Sequence, residues 1–203
     1  MINIKDTNKI KKFYNDNFFK YKDSVKTVGW SSKKDQFLRF EKLFENIEVN
    51  NKSILDIGCG LGDLIFFIKK KYKGKNFKYT GIDISDAIID FAKTKHKAKN
   101  ISFINGNFYN LNLSKYDIII SSGSMSLNLK LKEKDITKMI TKMYNNCKSY
   151  VSMNFLSTYC DYQLTKNTHY SPEKIFSICK KLSNKVNLIH DYRLYEFTVQ
   201  IIK

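Results

Sequence analysis

A chain of 203 residues, 42% of them hydrophobic and 14% aromatic, is long enough to bury one domain-sized core and too apolar to stay disordered. One proline and eight glycines exclude collagen-like and linker-like sequence, and the absence of a long apolar run or an N-terminal apolar signal core predicts a cytoplasmic protein with no membrane partner. The net charge of +17 invites a nucleic-acid reading, yet all but two of the 36 cationic residues are lysine, Arg39 and Arg193 being the exceptions, whereas bidentate phosphate and base contacts favour arginine.

Along the chain, residues 8–19 and 33–45 have helical spacing, the second with Phe37, Phe40, Leu43 and Phe44 turned inward. This N-terminal extension, residues 1–49, carries Tyr14, Phe18, Phe19 and Tyr21 and is read as a helical lid on a core formed by residues 50–203. β-branched and aromatic runs predict strands over 53–57, 77–84, 101–105, 116–121 and 150–156, with amphipathic helical stretches between several of them. Ser171-Pro172-Glu173 is a helix start, with an N-cap serine and proline at the first helical position. Two further strands, 186–190 and 197–202, are joined by too few residues for a parallel crossover. The expected fold is therefore α/β: one domain with a Rossmann-like, seven-stranded, mostly parallel sheet, the last strand antiparallel, and helices on both faces.

Cys59, Cys147, Cys160 and Cys179 form no C-x-x-C pair and have no ligand-spaced histidines, so free thiols and no metal site are expected. Asp56-Ile-Gly58-Cys59-Gly60-Leu-Gly62 joins a buried strand to a helix through a glycine-rich turn, and Asp83 ends the next strand. Glycines there let the backbone approach a ligand, and an acid at the second strand's end can accept both ribose hydroxyls of an adenosine. Asp63 stands where a pyrophosphate would need a neutral backbone, so the loop suits an adenosine ligand without phosphate, and no Gly-Lys-Ser/Thr follows to make a P-loop.

These motifs, followed in order by Asn105-Gly-Asn107-Phe108 and by Tyr116-Asp-Ile-Ile-Ile-Ser-Ser122-Gly123, resemble those of class I S-adenosylmethionine-dependent methyltransferases of the small single-domain bacterial type. The resemblance covers residues 50–160 motif by motif. It implies S-adenosylmethionine as cofactor, S-adenosylhomocysteine as product and no metal. It further implies that Asp56, Gly58, Cys59 and Gly60 line the methionine and adenosine, that Asp83 holds the ribose, and that Ile84, Asn107 and Phe108 contact the adenine. Ser122 and Gly123 would border the methyl group. Asn107 stands where the family more often has an acid. Gly29-Trp30-Ser-Ser-x-x-x-Gln36-x-x-Arg39 and the run through Tyr159, Asp161 and Tyr162 look like those of a subset of these enzymes, in which Arg39 would bind the methionine carboxylate.

Ligands of such sheets bind beyond the carboxyl ends of the strands. Four segments are expected to meet there, bringing Asn128, Asn154, Tyr162 and Arg193, with Trp30 and Gln36, to the acceptor. His190 is the first candidate for a general base, beside Tyr159, Asp161 and Tyr192, while His96, in a lysine run, reads as solvated. Arg39, Arg193 and His190 hint at an anionic acceptor. The expected reaction is methyl transfer to an oxygen or nitrogen of a small polar metabolite, by a monomer or homodimer. The alternatives are an RNA methyltransferase using the lysine-rich surface and a non-catalytic S-adenosylmethionine-binding module.

Overall fold

The computed structural model of the chain describes residues 4–128 and 131–203; residues 1–3 of the expected lid lie outside them. Two helices, α1 (Ile4–Tyr21) and α2 (Lys33–Leu43), precede the alternating core. The core runs β1 (Lys52–Ile57), α3 (Asp63–Lys71), β2 (Phe77–Asp83), α4 (Asp86–Lys95), β3 (Ile101–Asn105), β4 (Tyr116–Ser121), α5 (Glu133–Asn146), β5 (Cys147–Leu156), α6 (Pro172–Lys180), β6 (Lys185–Ile189) and β7 (Glu196–Ile202). Among the described residues no helix is long and apolar enough to cross a membrane.

The seven strands form one sheet in the order β3-β2-β1-β4-β5-β7-β6. β1, β2, β3, β4 and β5 pair in parallel, and β7 is antiparallel to both β5 and β6. The chain moves outward from β1 to β3 and then returns to β4 on the other side of β1. That reversal opens a crevice at the carboxyl ends of β1 and β4, where open α/β sheets take their ligands.

Alternation along β4 shows how one strand serves two cores. Ile119 packs with Leu55, Met143, Val151 and Phe197 under α5 and α6. Ile118 and Ile120 face the other way, joining Leu43, Phe44, Ile54, Ile65 and Ile68 under α2 and α3. Ser171 Oγ accepts from Lys174 N at 3.2 Å, so the cap read from the sequence is formed.

Most element boundaries shift by a residue or a few from the sequence expectation, and two of the shifts bear on the site. β5 begins at Cys147 directly after α5; its first residues include exposed Lys148, whose polarity hides the start of the strand. β6 ends at Ile189, which leaves His190 outside the sheet.

Candidate active site

The crevice at the sheet's reversal is a cavity lined by the glycine turn, the ends of β2 and β4, and three segments from outside the core. Gly58 N and Cys59 N both donate to Ile82 O, at 2.8 and 3.0 Å, which folds the turn over the end of β2. Gly60 N donates to Asp83 Oδ2 at 3.0 Å and Ser85 N to Asp83 Oδ1 at 3.0 Å. Gly60 has φ +52°, and a Cβ there would stand 2.6 Å from Val28 Cγ1. Glycine at this position both permits the turn and lets Val28 close over it.

Asp56 is buried with its Oδ2 accepting from the Tyr79 hydroxyl at 2.7 Å. Burial pushes its carboxyl up to about 7 despite that bond, and the nearby Asp83 adds to the shift. Burial raises Asp83 as well, against the pull of the backbone N–H groups of Ser85 and Gly60. The folded chain therefore keeps a proton on Asp56 that the unfolded chain releases near pH 4. Stability is expected to fall as pH rises from about 4 to about 7, by as much as about 4 kcal/mol. Urea unfolding at pH 5 and pH 8 checks this: the Asp56→Asn variant should lose most of the difference, keeping only the share due to Asp83. Equal stability of the unaltered chain at both values would contradict it.

Cys59, Ile84, Asn107 and Phe108 line the same cavity. Asn107 Nδ2 donates to Thr7 Oγ1 at 3.2 Å and Asn107 Oδ1 accepts from Tyr109 N at 3.0 Å, so this side chain also ties down α1. α1 supplies Ile10 and Tyr14 to the lining. It is fastened to the start of α4 by polar contacts: Lys11 to Asp86 at 2.8 Å, Asn15 Nδ2 to Asp86 Oδ1 at 2.9 Å, and Ser85 Oγ to Asn15 Oδ1 at 2.6 Å. The Lys11 ammonium, with Asn15, pulls the Asp86 carboxyl down to about 2. Tyr14 is driven up to about 12 by burial and by Asp83. Tyr14 belongs to the aromatic set on which the expected lid rests, whereas Ile10 and Val28 carry no sequence signal beyond ordinary apolar spacing.

At the other end, Trp30, Gln36, Ser122 and Gly123 line the cavity. Gly123 N donates to Asn154 Oδ1 at 2.8 Å, and Asn154 Nδ2 donates to Glu196 Oε2 at 2.9 Å. Glu196 in turn accepts from Arg39, whose Nε lies 2.9 Å from Oε1 and 2.8 Å from Oε2 and whose Nη2 lies 2.5 Å from Oε1. The guanidinium lies 3.9 Å from the centre of the Trp30 ring, and that ring fills the space where Gly123, at φ +68°, would carry a Cβ. Arg39, Glu196 and Asn154 are all buried. They form a platform behind the cavity, and Glu196, absent from the sequence expectation, is its centre. Arg39 thus differs from the expected free carboxylate binder: only Nη1, also buried, lacks a hydrogen-bond partner. Gln36 Oε1 and Ser122 Oγ are likewise buried without partners.

The remaining expected acceptor residues do not converge on the cavity. β7 is inserted between β5 and β6, which moves the end of β6 two strand spacings, roughly 10 Å, from the end of β5. His190 is exposed and packs against Tyr159 and Phe197, and the Tyr159 hydroxyl is spent on Glu173. Asp161 bonds Tyr195, and Tyr162 stands exposed beside the same ring. Tyr192 bonds Thr198 at 3.1 Å and Arg193 pairs with Asp35; both border a separate groove with α2 and α3. Asn128 is exposed and its Nδ2 donates to Thr165 O at 2.9 Å. Both arginines that hinted at an anionic acceptor are therefore already paired. His96 is not simply solvated either: its ring packs on Phe103 and its Nε2 lies 3.0 Å from Leu61 O.

All four cysteines are free, and the described residues contain no cluster able to hold a metal ion. Residues 48–196 match the family described as methyltransferase domain. A putative methyltransferase of Mycobacterium tuberculosis is 30% identical over 159 residues, 74% of this chain and 93% of that protein. A ribosomal RNA small subunit methyltransferase A of Mesomycoplasma hyopneumoniae is 37% identical over 83 residues, but the match takes in only 41% of this chain and 30% of that protein. The crystal structure of magnesium protoporphyrin IX methyltransferase from Synechocystis with bound S-adenosylhomocysteine superposes with a TM-score of 0.71 at 14% identity, covering 98% of this chain and 100% of that one; at that identity the likeness concerns the fold.

Proposed function

This chain belongs to the methyltransferase-domain family of class I S-adenosylmethionine-dependent enzymes, and from that premise we propose that it transfers the methyl group to an oxygen or nitrogen of a small polar acceptor. The observation that carries the cofactor half is a pair of unmet polar atoms, one on the cavity wall at Gln36 and one behind it at Arg39. Gln36 Oε1 is a buried acceptor and Arg39 Nη1 a buried donor, three residues apart on α2. Together they suit the ammonium and carboxylate of an amino-acid tail. Asp83, at the far side of the glycine turn, suits the ribose, and the cavity wall of Ile84 and Phe108 suits an adenine. The residues present fit the cofactor.

The bound cofactor supplies an electrophilic methyl on a sulfonium. What the protein adds is position and dryness. Asp83, Gln36 and Arg39 would fix the two ends of the ligand. Trp30, Ser122 and Gly123 would border the reacting end, held by the platform of Arg39, Glu196 and Asn154. The N-terminal extension, through Ile10, Tyr14 and Val28, would close the cavity against water as a lid. We assign His190, Tyr159, Asp161 and Tyr192 no part in the transfer, since all four stand outside the cavity and Tyr159, Asp161 and Tyr192 are hydrogen-bonded to other side chains.

Two observations support a small acceptor. The cavity is closed over in part by α1, through Ile10 and Tyr14. The run Ser121-Ser-Gly-Ser at the end of β4 offers no aromatic plane for a flipped base of the kind base-modifying enzymes need. The test uses methyl-labelled S-adenosylmethionine with a size-fractionated host lysate. Label in the small-molecule fraction that survives nuclease is the expected result. Label in the macromolecular fraction that nuclease releases would overturn the acceptor assignment in favour of RNA.

A further inference from the structure

Gln36 can hold its amide in only one orientation. Its Nε2 lies 3.1 Å from Asp63 Oδ2, and a carboxylate only accepts, so the nitrogen must face Asp63 and the oxygen must face away. That oxygen is buried without a partner in a residue that lines the cavity. Leaving it unmet costs on the order of 1–3 kcal/mol, so the position asks for a donor. The carboxylate behind the amide polarises it further and favours a positively charged donor over a neutral one.

Asp63 is held in its turn. It opens α3, where the helix N-terminus favours a negative charge, and Lys95 Nζ lies 3.3 Å from its Oδ1. The same ammonium reaches Asp23 Oδ1 at 2.6 Å. Burial alone would lower the Lys95 ammonium, but Asp23 and Asp63 outweigh it and hold it above its usual value. Asp23 belongs to the segment after α1, bracketed by Lys22 at φ +53° and Gly29 at φ +84°. Val28, inside that segment, and Trp30, just after it, both touch the cavity. Four elements far apart in sequence are thus joined in one polar chain that ends on the unmet oxygen.

Resting on the cofactor reading above, we infer that Gln36 accepts a hydrogen bond from the ammonium of the cofactor's amino-acid tail, and that Asp63, Lys95 and Asp23 are positioning residues that tie this contact to the seating of the N-terminal segment. Release of Asp23 frees Lys95 from one carboxylate, loosens its hold on Asp63, and lets the Gln36 amide turn. Uptake of a ligand with an ammonium restores the chain from the other end. A ligand without that group leaves the relay unengaged.

The experiment compares S-adenosylhomocysteine with 5′-methylthioadenosine, which keeps the nucleoside and thioether but lacks the amino-acid tail. Titration calorimetry on the full chain should show Asp63→Ala weakening S-adenosylhomocysteine about tenfold, the size of one charge-assisted hydrogen bond, with methylthioadenosine changed by no more than about twofold. Lys95→Met, a partly exposed position chosen to spare the fold, should lose a smaller factor for the same ligand only, and Lys95→Arg should restore it. S-adenosylhomocysteine should slow tryptic cleavage after Lys20, Lys22 and Lys26 in the unaltered chain and fail to do so in Lys95→Met. Equal loss for both ligands in both variants would reduce the relay to a structural role and overturn the inference. So would unchanged S-adenosylhomocysteine affinity, or equal protection from trypsin in Lys95→Met. An unaltered chain that takes up neither ligand overturns the cofactor reading, and this inference with it.

Discussion

Replacing Glu196 with alanine is expected to destabilise the fold by about 3–5 kcal/mol, because it leaves a buried guanidinium without its counter-charge. Arg39 is 6% exposed and Glu196 3%, so water cannot take over the lost contacts. Glu196 also holds Asn154 Nδ2 at 2.9 Å, and through Asn154 the backbone N–H of Gly123, so the loss should spread to the cavity wall. Urea unfolding supplies the number. Pairing Glu196→Ala with Arg39→Met should recover much of the loss, since a buried ion pair replaced whole by apolar groups is often tolerated. A Glu196→Ala variant within about 1 kcal/mol of the unaltered chain would mean that the pair is solvated in solution, as exposed pairs are.

Asp83→Ala is expected to weaken S-adenosylhomocysteine by at least about a hundredfold, the worth of two charge-assisted hydrogen bonds to the ribose. The carboxylate also anchors Gly60 N and Ser85 N, each at 3.0 Å, so the alanine variant loosens the glycine turn as well. Asp83→Asn separates the two effects, because its amide oxygen can still accept from one of those groups while the charge is gone. Its affinity should fall by a smaller factor, with stability close to the unaltered chain. Titration calorimetry at neutral pH measures both variants. Affinity unchanged in either would remove Asp83 from the ribose.

What the sequence made legible is what local pattern encodes. Strand and helix alternation located β1 to β4 within a residue or two, because each strand is a short β-branched or aromatic run bounded by polar turns. Gly58, Gly60 and Asp83 stood out because a turn with positive φ beside an acid-ended strand has few uses. Long-range pairings were not legible. Arg39 and Glu196 are 157 positions apart, and nothing near either residue announces the other, so Arg39 read as free to bind a ligand. A carboxylate heading the run Glu196-Phe-Thr-Val-Gln-Ile-Ile202 was the one available sign of Glu196. His190 was misplaced for a topological reason: the order β5-β7-β6 cannot be read from a pair of short strands. Asp63 was noticed for what it disfavours, a phosphate, but its use in orienting Gln36 depends on α2 packing against α3.

Trp30 is the chain's only tryptophan, it lines the cavity, and its ring lies against Arg39, so its fluorescence reports directly on what enters. The decisive measurement is a titration of that signal with S-adenosylhomocysteine, with a nicotinamide dinucleotide as the control ligand. A saturable change with S-adenosylhomocysteine, absent with the dinucleotide and absent in Asp83→Ala, is the predicted result. No change with S-adenosylhomocysteine in a folded chain, or the same change with the dinucleotide, would contradict the assignment of this cavity to the methyl donor.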